Sequence, residues 1–279
     1  MRSPTVTPPS EQRHRRVDGG TTTGRPHRDL ARQAFTPIGL EEAMRVELMS
    51  RLDTKVAVPL PALTTILERL AAAPGRPFRL VATPIGVAPR YTTLYFDTAD
   101  LRHYLAHHNG RRRREKYRYR HYHSTGATFF EVKRRSNARR TSKERVPTPA
   151  IGTRLDRGER ALIGRLGVTA GPIRPTLEVI YDRMTLVGTD RRVTIDLGLR
   201  CRAVDHEGRA RGPVADFGHI AVLEVKETRR DPRSPVAEAL REHGLRPHGM
   251  SKYCLGVASC IDGVRRNGFE RRLKQVREL

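Results

Sequence analysis

The chain contains no tryptophan, and aromatic residues make up only 5 % of it. Proteins that grip single-stranded nucleic acid interleave exposed aromatic rings with basic residues so that bases can stack. This composition therefore argues against nucleic acid as the main ligand. Cysteine is also scarce: Cys201, Cys254 and Cys260 are an odd number without CxxC spacing. They suit neither a disulfide framework nor a zinc site, and a reducing compartment is expected. No apolar run approaches the roughly 18–20 residues that cross a bilayer. The N-terminus lacks the apolar core of a signal peptide, so a cytoplasmic protein is expected. Acidic residues are in deficit, 30 against 54 basic ones, which gives a net charge of +24. Such an excess implies an anionic partner. The last scarcity is lysine. Only seven of the basic residues are lysine, at 55, 116, 133, 143, 226, 252 and 274, and the other 47 are arginine. Lysine is a compact point charge and arginine a planar fork, so lysine is expected where a fork will not serve.

What is present is alternation. Arg114, Lys116, Arg118, Arg120 and Tyr122 share one face of a strand, while Glu115, Tyr117, Tyr119 and His121 share the other. After a Ser124-Thr125-Gly126 turn, Glu131 and Lys133 oppose Phe130 and Val132, and Lys143 and Arg145 repeat the pattern. Arg51, Asp53 and Lys55 lie on one face of a strand over 45–58. Strands over 176–186, 191–197 and 218–227 place Tyr181 and Arg183, Arg192 and Asp196, and Glu224 and Lys226 in the same way. A further strand is expected over 91–97, and Leu199–Val204 is expected to pair with a neighbour. Pro59 and Pro61 open a helix through Ala73 with Leu63, Ile66, Leu67 and Leu70 as its stripe. Shorter helices are expected over 100–108, 156–166 and 235–243, and Ser251 is a plausible cap for another. Residues 74–90 read as a loop. His103 and His107 have the i, i+4 spacing of a zinc pair, but without a third ligand they read as surface histidines. Residues 1–40 read as a disordered basic tail, 41–262 as one domain, and 263–279 as a basic C-terminal extension.

Parity thus gathers twelve cations, namely Arg51, Lys55, Arg114, Lys116, Arg118, Arg120, Lys133, Lys143, Arg145, Arg183, Arg192 and Lys226, with four carboxylates, Asp53, Glu131, Asp196 and Glu224. A single charged strand face is usually just solvated. Recurrence in six strands points instead to a barrel with a charged interior. Buried charge in that excess needs a polyanion. A chain of phosphates fits, with a divalent cation bridging carboxylate and phosphate oxygens.

The motifs RLDTK at 51–55, YFDT at 95–98, KYRYRHY at 116–122, FEVK at 130–133 and SKER at 142–145 resemble the vacuolar transporter chaperone (VTC) domain, as do YDR at 181–183, RVTID at 192–196, LEVK at 223–226 and SKY at 251–253. That domain is the polyphosphate polymerase branch of the triphosphate tunnel metalloenzyme (CYTH-like) superfamily. The resemblance covers residues 45–260. It implies an α+β fold: a closed antiparallel β-barrel of about eight strands forming a basic tunnel, with helices packed outside. It also implies an ATP:polyphosphate phosphotransferase dependent on Mn²⁺ or Mg²⁺. Carried over by motif, Lys55, Arg118, Arg120, Lys133, Lys143, Arg183 and Arg192 would act on the transferred phosphate. Arg51, Arg114, Lys116, Arg145, Tyr181, Lys226 and Lys252 would hold substrate, and Glu224, with Glu131 and Asp196, would hold metal. Val56 stands where the family's first motif has tyrosine. Three functions stay open: polyphosphate synthesis from ATP, triphosphate hydrolysis on the same fold, and non-catalytic binding of polyphosphate or nucleic acid. SKY and the spread of cations over every patterned strand lean towards synthesis.

Overall fold

The residues that alternate with the charged ones build the core. In the computed structural model, which describes residues 24–45, 52–75, 77–137, 141–168, 171–247 and 250–279, the elements run α1 (Arg25–Ala34), β1 (Thr36–Gly39), α2 (Leu40–Arg45), β2 (Leu52–Pro59), α3 (Leu60–Ala71), β3 (Arg79–Ala82), β4 (Arg90–Asp97), α4 (Arg102–His108), β5 (Arg114–Tyr122), β6 (Ala127–Arg135), β7 (Thr141–Thr148), α5 (Arg157–Arg165), β8 (Arg174–Val187), β9 (Arg191–Val204), β10 (Ala210–Asp216), β11 (Ile220–Glu227), α6 (Pro235–Glu242), α7 (Lys252–Cys260) and α8 (Asn267–Glu278). The fold is α+β with one large, almost wholly antiparallel sheet.

The main path of the sheet is β2-β11-β9-β8-β4-β5-β6-β7, with β1, β3 and β10 attached beside it, eleven strands in all. The expected closed barrel of about eight strands is corrected in two respects. The path has eight strands, but three more join it, and no hydrogen-bonded ladder joins its end strands β2 and β7 among the described residues. The spine is the long β8–β9 hairpin. β8 pairs β4 over one stretch and β3 over another, and β9 likewise pairs β11 and then β10. Leu199–Val204 is therefore not a separate strand but the continuation of β9.

One face of the sheet is covered by helices in three apolar clusters. α3 and α6 cover Val56, Val58, Leu223 and Val225, and the expected stripe of Leu63, Ile66, Leu67 and Leu70 is fully buried there. Val56 thus faces the core, not the charged side. α4, α7 and α8 cover Leu177, Val179, Leu199 and Cys201. α5 lies over Tyr117, Tyr119, Phe130 and Val132. α7 sits very close to β8 and β9: a Cβ on Gly256 would lie 2.5 Å from Leu177 Cδ2. At the β5–β6 turn Gly126 has φ +69°, a left-handed conformation that glycine adopts without strain. The three cysteines are free and buried.

Ordered structure starts earlier than composition suggests. Residues 25–39, expected in a disordered tail, form α1 and β1; residues 1–23 of that tail lie outside the described residues. α1 packs Leu30, Ala31 and Ala34 against the cluster under α3, and polar contacts hold it as well: Arg28 pairs with Asp182 at 2.6 Å, and His27 bonds the Leu60 carbonyl at 2.8 Å. The expected loop over 74–90 contains β3, which pairs in parallel with β1. The 263–279 extension contains α8, whose Phe269, Leu273 and Val276 are buried.

Asp97, the acid of YFDT, joins sheet to helices. It is fully buried and accepts from the backbone N–H groups of Thr98, His103 and Tyr104 at 2.8, 2.9 and 2.8 Å. Its Oδ2 also accepts from the Tyr253 hydroxyl of SKY. Asp97→Ala would strand these donors in the core. Each buried unpaired donor costs about 1–3 kcal/mol, so a loss of about 3 kcal/mol or more is expected in urea unfolding. A loss below about 1 kcal/mol would mean that water replaces the carboxylate.

Candidate functional site

The strand registers stack the charged residues in layers on the uncovered face. On β5, β6 and β7, Arg114, Arg135 and Thr141 form one layer, Lys116, Lys133 and Lys143 the next, and Arg118, Glu131 and Arg145 the third. On β2, β11 and β9, Asp53, Lys226 and Arg192 align, then Lys55, Glu224 and Thr194, then Ala57, Val222 and Asp196. Arg183 on β8 pairs with Asp196. The two arms face one cavity of about 800 Å³, whose lining includes Asp53, Lys55, Arg114, Lys116, Lys133, Arg135, Arg230 and Arg272. That is seven cations and one carboxylate.

Further in, each buried carboxylate holds its own cations. Glu131 accepts from Arg118 Nε and Nη2 at 2.8 and 2.5 Å, from the Tyr122 hydroxyl at 3.2 Å and from Lys143 at 3.4 Å. Asp196 receives a two-pronged Arg183 fork at 2.5 and 2.9 Å and also Lys252. Glu224 accepts from Lys55 at 2.6 Å. Burial opposes ionisation of all three, but the adjacent cations outweigh it and hold them below the usual carboxylate range. Among the described residues no group of three or more His, Cys, Asp or Glu side chains is placed to hold a metal. Glu224, Glu131 and Asp196, the expected metal ligands, each stand beside their own cations.

The lysines behave differently. Lys116 donates to Ser251 Oγ at 2.7 Å, and Lys133 has no ion-pair partner among the described residues. Burial, then Lys55 and Lys116 nearby, pulls the Lys133 ammonium down to about 7. His107, read as a surface histidine, lines the same cavity, and burial with Lys116 and Arg114 beside it brings it down to about 2. His103, also expected on the surface, is buried with its ring edge-on to Tyr117. Among the described residues no third ligand stands with the pair.

Other expected residues have mixed placements. Arg120 is buried and bonds Thr93 Oγ1 at 3.3 Å. Tyr181 stacks on Tyr91 at 5.4 Å, with Lys252 Nζ 4.8 Å from its ring centre. Its hydroxyl is buried and has no hydrogen-bond partner among the described residues, and the same holds for Thr194 Oγ1. Thr194 is uncharged and aligns beside Glu224 in the β11–β9 ladder, where parity places it. Arg145 is exposed on β7 and stacks on Phe129 at 4.2 Å. Lys226 shares the inner face. Arg192 is turned towards α2, donating to the Ala43 carbonyl at 2.5 Å. Arg51 lies outside the described residues. Ser251 caps α7 as expected, accepting from Cys254 N at 3.3 Å.

A family model for the VTC domain matches residues 48–261. The chain belongs to the VTC-domain family. A search of curated proteins returns no match. Among solved structures the chain is similar to an adenylyl cyclase candidate from Hippeastrum described as having a dominant triphosphatase activity: 16 % identity, 77 % of this chain and 98 % of that one, TM-score 0.47. It is also similar to candidate adenylate cyclases from Bacillus halodurans (12 %, 72 % and 94 %, TM-score 0.42) and Vibrio parahaemolyticus (12 %, 74 % and 97 %, TM-score 0.40). The family assignment does not depend on these likenesses. No helix among the described residues is long and apolar enough to cross a membrane.

A polyanion in the cavity would restore the Lys133 proton. At pH 8, tripolyphosphate binding by the wild type is expected to take up about one proton more than binding by Lys133→Met, and close to none more at pH 6. Calorimetry in buffers of different ionisation enthalpy measures this, and equal uptake by both proteins would refute it. The free protein has the complementary trend. The unfolded lysine titrates at its ordinary 10.5 and the folded one at about 7, so between those values the unfolded chain binds more protons and stability rises with pH.

Proposed function

We propose that this chain is a polyphosphate polymerase that transfers the γ-phosphate of ATP to a growing polyphosphate chain. The observation that carries the reading is the meeting of Lys55 with Lys116 and Lys133 from the opposite arm in one cavity whose lining holds seven cations and one carboxylate. Membership of the VTC-domain family supports it. Lys55, near one end of the sheet path, depresses the protonation of Lys133 near the other end. That proximity supports a sheet curled into a tunnel around the substrate.

In the reaction a terminal phosphate oxygen of the acceptor chain attacks the γ-phosphorus. The bond to the β,γ-bridging oxygen breaks, and ADP leaves with the electron pair. Phosphoryl transfer of this kind depends on positioning and charge stabilisation. Lys55, Lys116, Lys133 and Lys143 would neutralise non-bridging oxygens. Arg118, Arg120 and Arg183, oriented by Glu131 and Asp196, would fix the phosphate path, and the free hydroxyls of Tyr181 and Thr194 would donate to it. The donor set fits a divalent cation shared between protein and substrate, since Mg²⁺ commonly takes one or two carboxylates plus phosphate oxygens. Glu224 would be its main protein ligand. When bound, Mn²⁺ or Mg²⁺ would supply charge neutralisation at the transferring phosphoryl group.

Pure protein incubated with ATP and Mn²⁺ is expected to yield chains visible on a stained gel, with matching ADP. Free phosphate alone, with tripolyphosphate consumed faster than ATP, would replace this reading by triphosphate hydrolysis. Glu224→Gln is expected to abolish turnover. Lys133→Arg, which keeps the charge but widens the head, is expected to lower it on the order of 10²-fold through a misplacement of about 1 Å. Unchanged kinetics in Lys133→Arg would show that the lysine is not chosen for its shape.

A further inference from the structure

We infer that α8 builds an outer section of the binding site, which grips polyphosphate beyond the phosphates held at the lysine layer. This rests on the function proposed above. The family match ends at residue 261, yet Gly268, Phe269 and Arg272 of α8 line the same cavity as Lys55 and Lys133.

The helix is fixed in place. Phe269, Leu273 and Val276 are buried in the cluster that contains Tyr104 and Tyr253. The Tyr104 hydroxyl donates to the Arg265 carbonyl at 2.9 Å, Gly268 N donates to His108 Nε2 at 3.0 Å, and the His219 ring bonds the Val276 carbonyl at 2.7 Å. Arg272 is therefore presented from a rigid element, with its guanidinium 5.9 Å from the Phe269 ring centre.

The inner surface is graded. Lys116 and Lys133 face each other across β5 and β6, and Arg114 and Arg135 form the adjacent layer on the side of Thr141. Alternate residues of a strand lie about 7 Å apart, so the arginine layer lies about that far from the lysines. The exposed Arg230 and Arg272 line the same cavity. A ligand that engages both layers has to be longer than one layer is deep, and a chain of phosphates meets that condition. Arginine forks suit its repeating oxygens. The mouth thus favours an extended chain over a short one.

The test compares dissociation constants for tripolyphosphate and long-chain polyphosphate in the wild type, Arg272→Ala, Arg272→Glu and Lys274→Ala. Lys274 lies on the same helix, is exposed, sits 3.7 Å from Glu278 and does not line the cavity. Arg272→Ala is expected to weaken long-chain binding about fivefold and tripolyphosphate binding less than twofold, with Arg272→Glu stronger in the same direction. The salt dependence of long-chain binding should fall by about one in log–log slope. Equal losses for both ligands, or an equal effect of Lys274→Ala, would overturn the inference. A wild type that binds neither ligand would overturn the proposed function as well. A wild type that binds both, matched by Arg272→Ala, would overturn the role of α8 alone.

Discussion

Repulsion among cations on one face of a sheet is the constraint that this fold has to contain. Burial, with Lys55 close by, weakens the charge of both Lys116 and Lys133, and Lys116 adds to the effect on Lys133. The force that keeps them together comes from the opposite face. There Val56, Leu223 and Val225 lie under α3 and α6, and Tyr117, Phe130 and Val132 lie under α5. Each fully buried aliphatic side chain contributes roughly 1.5–3 kcal/mol. The two faces of each strand therefore do opposite work, one holding the sheet together and one straining it, and a polyanion would relieve the strained face.

Arginine and lysine divide that inner face by geometry. Several arginines of the patterned strands are locked: Arg118 on Glu131, Arg183 on Asp196, the exposed Arg145 over Phe129, and Arg192, turned towards α2, on a backbone carbonyl. A planar fork with fixed donors suits such multiple contacts. Lys133 has none of them among the described residues, and Lys116 has only a hydroxyl partner. A chain so rich in arginine retains lysine at these places, where a compact head in a crowded cavity is under the fewest orientational demands from the protein itself.

Parity made the inner face legible, because a period of two assigns side chains to faces before any register is known. The residues it assigned to that face align there in the ladders of the sheet, apart from Arg51, which lies outside the described residues. What parity could not supply was distance around the sheet. Glu131, Asp196 and Glu224 share a face, yet each lies beside its own cations, and a period of two does not say which. Closure was illegible for the same reason, since a face does not say whether the end strands meet. Thr194 was missed because the search was for charge. α1 was missed because its short apolar face, Leu30, Ala31 and Ala34 with Phe35 behind it, is diluted by arginines, histidine and proline in a basic segment. In α8 the period was present at Phe269, Leu273 and Val276, which suits the helical character open to the basic extension over 263–279, but the surrounding arginines hid that this face is buried.

The run Ser251-Lys252-Tyr253 shows why stability and site geometry are coupled here. Ser251 caps α7 and accepts from Lys116, Lys252 reaches Asp196, and Tyr253 donates to Asp97. Three consecutive residues thus connect one helix start to the lysine layer, to the Arg183 pair and to the buried lock at the end of β4. Gly256, one turn further along, lets α7 approach β8 and β9 closely enough for those reaches to be met. A shift of this helix would move Lys252 and take Ser251 away from Lys116 while exposing the donors around Asp97. The cations are therefore held in position by the same contacts that keep the helix on the sheet. The fold can tolerate their repulsion because separating them would first require breaking buried hydrogen bonds to Asp97 and Asp196.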